Sequence, residues 1–303
     1  METGERDMLR GVSPEVPHGD AHSLTGVTGA KNPNFSTIHE KNDGMTGTEK
    51  DGLYLYALVE HCGEIPTGIT GVDGQQVFSL PYRNLSAIVH ACPLTPYASD
   101  DQTVVTGWVL THEQVLERLI GAGMNTIPFT FDTIIKPEKE RDARTVLTGW
   151  LSKENEHFFQ KFEKIRGRKE YGIQVFTNRQ KIRDMISSTN DMIKQLEEEA
   201  KTSGPGKKYM IQQKLEKEVK VAMDAEIAGI ISETKRKIQG YCDELFLGKL
   251  KKGQVPARDM ILNCSCLVSD ENYPKLGAVL EEIEREGDLS VRFTGPWAVY
   301  SFV

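Results

Sequence analysis

Tyr171-Gly172-Ile173-Gln174-Val175-Phe176 sets apolar or aromatic side chains at alternate positions, the period of a half-buried β-strand. The period then changes. Ile182, Met185, Ile186, Met192, Ile193 and Leu196 follow helical steps up to Ala200, where Ser203-Gly204-Pro205-Gly206 interrupts them. A second stripe takes over with Ile211, Leu215, Val219, Met223, Ile227, Ile230, Thr234, Ile238, Tyr241 and Leu245. Steps of three and four sustained over this length predict an antiparallel, coiled-coil-like helical hairpin over 179–247, with Lys and Glu alternating on its solvated face. Met260 to Val268 returns to the strand pattern. Pro274 to Glu286 reads as a helix with Leu276, Val279, Leu280 and Ile283 inward, and Leu289 to Phe293 as a closing strand. Strand, long helical hairpin, strand, helix, strand is the order of a small α+β layer carrying a helical arm.

Upstream of this segment the chain again mixes short strands and helices. Leu53-Tyr54-Leu55-Tyr56-Ala57-Leu58-Val59 reads as a buried strand, and Val77 to Leu80 and Leu85 to Val89 as two more. Gly63 to Gly74 reads as turns. Val104 to Ile120 predicts an amphipathic helix with Val105, Trp108, Val109, Val115, Leu116 and Leu119 on one face, stopped by Gly121-Ala122-Gly123. Asn125 to Ile135 is expected to be extended. Pro137 is expected to open a second helix running to about Ile165, with a break near Gly149. Residues 1–51 carry almost no apolar periodicity and are expected to be disordered, since they bury too little apolar surface to offset their ordering entropy. Met45 offers an alternative start, which would leave residues 1–44 outside the native chain. The expected division is therefore a tail at 1–51, an α/β domain at 52–167 and an α+β domain at 168–303.

Composition narrows the function classes. The 303 residues are 38% hydrophobic and 27% charged, with a formal charge of -7, so the chain has no general attraction for nucleic acid or anionic lipid. No run of about 18 apolar residues offers a membrane span. The N-terminus lacks the apolar stretch of a signal peptide. Cys62, Cys92, Cys242, Cys264 and Cys266 are sparse and odd in number, which fits a reducing compartment and a cytoplasmic address.

Each candidate constellation has a plainer alternative. Cys264-Ser265-Cys266 has one intervening residue instead of the two to four of paired zinc ligands, and no histidine follows His157, so packed strand thiols are preferred to a metal site. Ser203 to Lys208 has the glycines and lysines of a phosphate loop. It lacks the Ser or Thr after the lysine and follows a helix, so a hairpin turn is preferred. Phe158 to Lys169 interleaves aromatic and basic residues, but acids interrupt it and its phenylalanines keep helical spacing. His112, Glu113 and His157 have no nucleophile or paired acid at fixed spacing and are expected to be surface or partly packed residues. No catalytic residue, cofactor-binding residue or metal ligand is assigned.

The ending Gly295-Pro296-Trp297-Ala298-Val299-Tyr300-Ser301-Phe302-Val303 is unusually apolar and is expected to tuck into a core. Gly295-Pro296-Trp297 followed by Tyr300-Ser301-Phe302 resembles the closing signature of the gas vesicle protein F/L family. Tyr54 to Val59, Gly68-Ile69-Thr70-Gly71-Val72, Leu85 to Val89, and His112 to Leu119 followed by Ile127-Pro128-Phe129-Thr130-Phe131-Asp132-Thr133-Ile134 are similar to its earlier blocks, in order. Asp132 stands where a glycine is expected and Ala298-Val299 where paired prolines are common, which leaves the F and L subtypes open. The resemblance implies a two-domain α/β protein, ferredoxin-like in part, with a helical extension. It also implies a non-catalytic accessory role in gas-vesicle formation through contact with the small hydrophobic shell protein, and with other accessory proteins. The alternative is an enzyme or ligand-binding protein with a cleft near His112. A coiled-coil oligomer through 182–245 is compatible with either.

Overall fold

The computed structural model describes residues 51–60 and 65–303. The expectations for residues 1–50, for Met45 and for Cys62 lie outside the described residues. The described chain divides into two units. The first comprises the residues up to Met124 with Phe129–Glu156, and the second Asn125–Pro128 with His157–Val303.

In the first unit, β1 (Gly52–Glu60) pairs antiparallel with β3 (Leu85–Cys92), which pairs antiparallel with β2 (Phe78–Tyr82). Leu53 to Val59 are all buried, as an unbroken aliphatic and tyrosine run requires when both faces of a strand are covered. The register shifts between Leu55 and Ala57, so Tyr56 occupies a bulge. Helix α1 (Gln102–Gly121) starts where Asp101 accepts a hydrogen bond from the Thr103 amide at 2.8 Å and buries His112, Val115, Leu116 and Leu119. Next in the chain come the short strands β4 (Thr126–Pro128), whose residues belong to the second unit, and β5 (Ile134–Ile135), which pairs with β1.

Helix α2 (Ala143–Ile165) begins after the expected Pro137. Glu138 and Arg141 exchange both backbone hydrogen bonds, at 3.0 and 2.9 Å, with Lys139 at φ 49° between them. That tight turn uses up the residues after Pro137, and Asp142 then caps the helix by accepting from the Thr145 amide at 2.9 Å. The expected break at Gly149 does not occur.

The second unit carries an antiparallel sheet in the order β7-β8-β6-β9, formed by β6 (Arg168–Thr177), β7 (Glu244–Leu247), β8 (Asp259–Ser269) and β9 (Ser290–Trp297). Three helices lie between β6 and β7: α3 (Arg179–Thr189), α4 (Asp191–Thr202) and α5 (Pro205–Gln239). The expected single helix over 182–200 is two helices. Asn190 ends α3 by donating its amide to Ile186 O at 2.9 Å. Its extended backbone then lets its side chain accept from the Met192 and Ile193 amides and start α4. Pro205 opens α5 at the foreseen break, and Leu196, Ala200, Ile211 and Leu215 pack α4 against α5. The second stripe was expected to stay helical through Leu245. The helix ends at Gln239, and Leu245 belongs instead to β7, where it pairs with Cys266 and packs on the core. Chance agreement of strand and helix spacing over the last few residues hides this change of element. Helix α6 (Tyr273–Gly287) buries Leu276, Leu280 and Ile283 against Ile173, Val175, Cys264 and Cys266 of the sheet.

Candidate functional site

A buried polar cluster is built from neighbouring elements of the first unit. Tyr54 and Tyr56 project from β1, His90 from β3 and His112 from α1, and all four are fully buried. The Phe129 carbonyl only accepts, so the 3.0 Å contact with His112 Nε2 fixes the proton there. His112 Nδ1 is then an acceptor for the Tyr54 hydroxyl at 2.9 Å, and the Tyr54 oxygen accepts from the Asp132 amide at 3.0 Å. The second arm has the same design. Tyr56 OH meets His90 Nδ1 at 2.9 Å and accepts from the Val72 amide at 2.8 Å, while His90 Nε2 meets the half-buried Tyr97 hydroxyl at 3.2 Å. Tyr54 stacks on His90 with ring centroids 4.9 Å apart, and Tyr56 on His112 at 5.2 Å.

Burial penalises the charged forms. It pushes both histidines down to about 4, the Tyr97 hydroxyl up to about 12, and the Tyr54 and Tyr56 hydroxyls well above the usual phenol range. At neutral pH the cluster is an uncharged polar network with its ring nitrogens engaged. It fixes how β1, β3 and α1 pack, and it exposes no basic nitrogen to a substrate. His112, expected at the surface, partly packed or beside a cleft, is fully buried, and its two nitrogens find partners inside. Glu113 is half-buried and His157 exposed. His90, Tyr54 and Tyr56 were not singled out from the sequence. A polar ring recurring within an otherwise aliphatic strand was the signal.

The other sequence candidates resolve simply. Cys264 and Cys266 are buried on one face of β8 beside Cys242, and hydrogen bonding with the Cys242 and Cys264 thiols, then burial, raises the Cys266 pKa. No group of three or more His, Cys, Asp or Glu side chains among the described residues is arranged to hold a metal ion. Ser203-Gly204 joins α4 to α5. Phe158 and Phe162 are buried, whereas Phe159 is exposed. Ala298, Val299 and Phe302 are buried, and Ser301 binds the buried Glu170 carboxylate.

The surface also carries exposed apolar side chains. Met185, Met192, Tyr209, Met210 and Val221 stand out from α3, α4 and α5, and Phe246, Leu247 and Leu250 from β7 and the loop after it. Methionine and aromatic side chains adapt to apolar partners and are enriched in binding surfaces. No helix among the described residues is long and apolar enough to cross a membrane.

The family model for gas vesicle synthesis protein GvpL/GvpF matches residues 52–303. The chain belongs to this GvpL/GvpF family. Gas vesicle protein L1 of Halobacterium salinarum is 25% identical over 262 residues, covering 84% of this chain and 91% of that protein. Gas vesicle protein F of Nostoc sp. is 25% identical over 260 residues, covering 83% and 97%. The crystal structure of GvpF from Anabaena sp. PCC7120 has the same fold, with a TM-score of 0.68 at 20% identity over 83% of this chain and 98% of that one. Both F and L proteins are thus among the relatives of this GvpL/GvpF chain. Three of the blocks that carry the family resemblance, with the segment after the last of them, meet at the tyrosine–histidine network. Tyr54 and Tyr56 come from the first, Gly71 and Val72 from the second, His112 from the fourth, and Phe129 and Asp132 from the segment after it. A Cβ at Gly71 would collide with the Tyr56 hydroxyl and lie 3.1 Å from His90 Nδ1, so only glycine lets that loop close over the network. Asp132, standing where glycine is expected, adopts φ 68°.

Proposed function

We propose that this member of the GvpL/GvpF family is a non-catalytic accessory protein of gas-vesicle formation that binds the small hydrophobic shell protein and assists its incorporation. The observation that carries this reading is the family match over residues 52–303. The exposed Met185, Met192, Tyr209, Met210 and Val221 on α3 to α5 support it, since they offer adaptable apolar contact to a subunit that would otherwise aggregate. In this reading the second unit is a ferredoxin-like layer with α3 to α5 inserted as a partner-binding arm. The protein works in the cytoplasm, in contact with growing vesicles and other accessory proteins, and needs no cofactor.

The test is a pull-down from cells that co-express the tagged protein with the shell protein. Specific recovery is expected, kept when residues 1–50 are removed and reduced when Met192, Tyr209 and Met210 are changed together to serine. No recovery while the shell protein is soluble overturns direct binding. Unchanged vesicle number, shape and buoyancy after gene deletion overturns the assembly role.

A further inference from the structure

The two edges of the second sheet are treated differently. At β9, the Val291 amide is taken by the Glu284 side chain at 2.7 Å, and Pro296 has no amide to offer. Such devices prevent edge-to-edge pairing. Among the described residues β7 has no proline and no such side-chain cap, and only its length of four residues and its charged flanks limit pairing. Its centre is Leu245-Phe246-Leu247, and among the described residues only β8 pairs with it.

The hydrogen-bond phase of that edge follows from the ladder. The Gly248 amide donates to Asn263 O at 2.8 Å, which makes Gly248 and Asn263 a hydrogen-bonded pair. By alternation, Phe246 and Glu244 also turn their main chain toward β8, whereas Leu245 and Leu247 turn theirs to the open side. Leu247 is 50% exposed and Phe246 56%.

We propose that β7 pairs antiparallel with β7 of a second copy of this chain, centred on Phe246. Sequence symmetry about that residue selects the occupant. In an antiparallel pair centred there, Leu245 faces Leu247 of the second copy and each Leu247 faces a Leu245, so the outward amides and carbonyls of both strands exchange hydrogen bonds. The two Phe246 rings meet at a non-hydrogen-bonded position, where side chains approach most closely. Asp243 comes opposite Lys249 on both sides of the axis, and both residues are exposed. Asp243 engages Arg168 through Oδ1, which orients its carboxylate at the strand end. A segment that complements itself about one point is what a twofold, isologous contact demands. The contact is short, which places the dimer among weak, concentration-dependent associations. It is independent of the shell-protein reading, since it uses β7 and not α3 to α5.

The experiment is sedimentation velocity on the full chain across a wide concentration series, with amide exchange read at the two ends of that series. The expected result is a reversible monomer–dimer equilibrium in which the Leu245 and Leu247 amides gain protection with concentration. The Glu244 and Phe246 amides, already bonded to β8, do not change. Leu247→Pro removes an outward amide and leaves the β8 ladder intact. Phe246→Lys sets like charges against each other at the axis. Each is expected to weaken association by about tenfold or more with unchanged far-UV dichroism. A monomer at every concentration overturns the proposal. So does a dimer that both variants leave intact, and so does protection of Leu245 and Leu247 that appears only on adding another protein.

Discussion

Ser301 grips the buried carboxylate of Glu170 twice, through its amide to Oε2 at 3.0 Å and its hydroxyl to Oε1 at 2.7 Å. Ser265 on β8 joins them, 3.1 Å from the Ser301 hydroxyl. The apolar closing segment is thus tied to β6 by one polar anchor, with Ala298, Val299 and Phe302 buried around it.

That anchor makes a pH-dependent prediction. Burial raises the Glu170 pKa above the usual carboxyl value, against the lowering by its serine hydrogen bonds. Between the unfolded and the folded value, the folded chain therefore binds more of this proton than the unfolded chain does. Stability from this group is full below the unfolded value and declines as pH rises through the folded one. Glu170→Gln is expected to remove that decline, which thermal unfolding between about pH 4 and 8 would reveal as a flatter profile. Glu170→Ala strands the serine donors and should cost about 1–3 kcal/mol.

The histidines of the first unit have the opposite sign of dependence on acid. Burial lowers His90 and His112 to about 4, so below their ordinary value the unfolded chain takes up protons that the folded chain refuses. Their contribution is full above about pH 6.5 and is lost as pH falls toward the folded values. His112→Phe is expected to lessen this acid sensitivity. It would also lower stability at neutral pH by about 1–3 kcal/mol, because the Tyr54 hydroxyl and the Phe129 carbonyl lose a partner. Denaturant titrations at several pH values check both.

Asp132 separates two effects at one position. Its φ of 68° is strained for a side chain, and its Oδ1 accepts from the Tyr97 amide at 3.0 Å. Asp132→Gly relieves the strain and loses the bond, each worth about 1 kcal/mol, so stability should hardly change. Asp132→Ala loses the bond and keeps the strain, and is expected to destabilise by about 1 kcal/mol. Chemical denaturation of both variants distinguishes these outcomes.

Gly71→Ala drives a methyl group into the Tyr56 hydroxyl and toward His90. The expected loss is about 1–3 kcal/mol, with near-UV dichroism of the tyrosines altered.

Asn190→Ala removes the cap of α4 and should cost about 1 kcal/mol. Scanning calorimetry measures it, and helical content should not fall, since alanine permits α3 and α4 to merge.

Periodicity located most elements because burial on one face writes itself into spacing. Tyr171 to Phe176, Met260 to Val268 and the α1 stripe are such cases. It failed where the deciding interaction is local and polar. Asn190 splits one apparent helix, and Ser188-Thr189-Asn190-Asp191 is a capping signal that the apolar stripe on both sides obscures. Asp142, not Pro137, starts α2 for the same reason. Leu245 fits the helical stripe and the strand alike, and only its pairing with Cys266 makes it part of β7.

By itself the sequence determined the mixed α+β class, the helices between two strands of the second sheet, and the family, because these rest on spacing and on residues in order. Only the tertiary structure decided that His112 is a core residue, that Tyr54, Tyr56 and His90 complete its network, and that Glu170 anchors Ser301. Those partners lie 58, 34 and 131 residues apart in the cases of Tyr54–His112, Tyr56–His90 and Glu170–Ser301. A polar group's fate depends on whether folding brings it a partner in the place of water, and no local pattern encodes that.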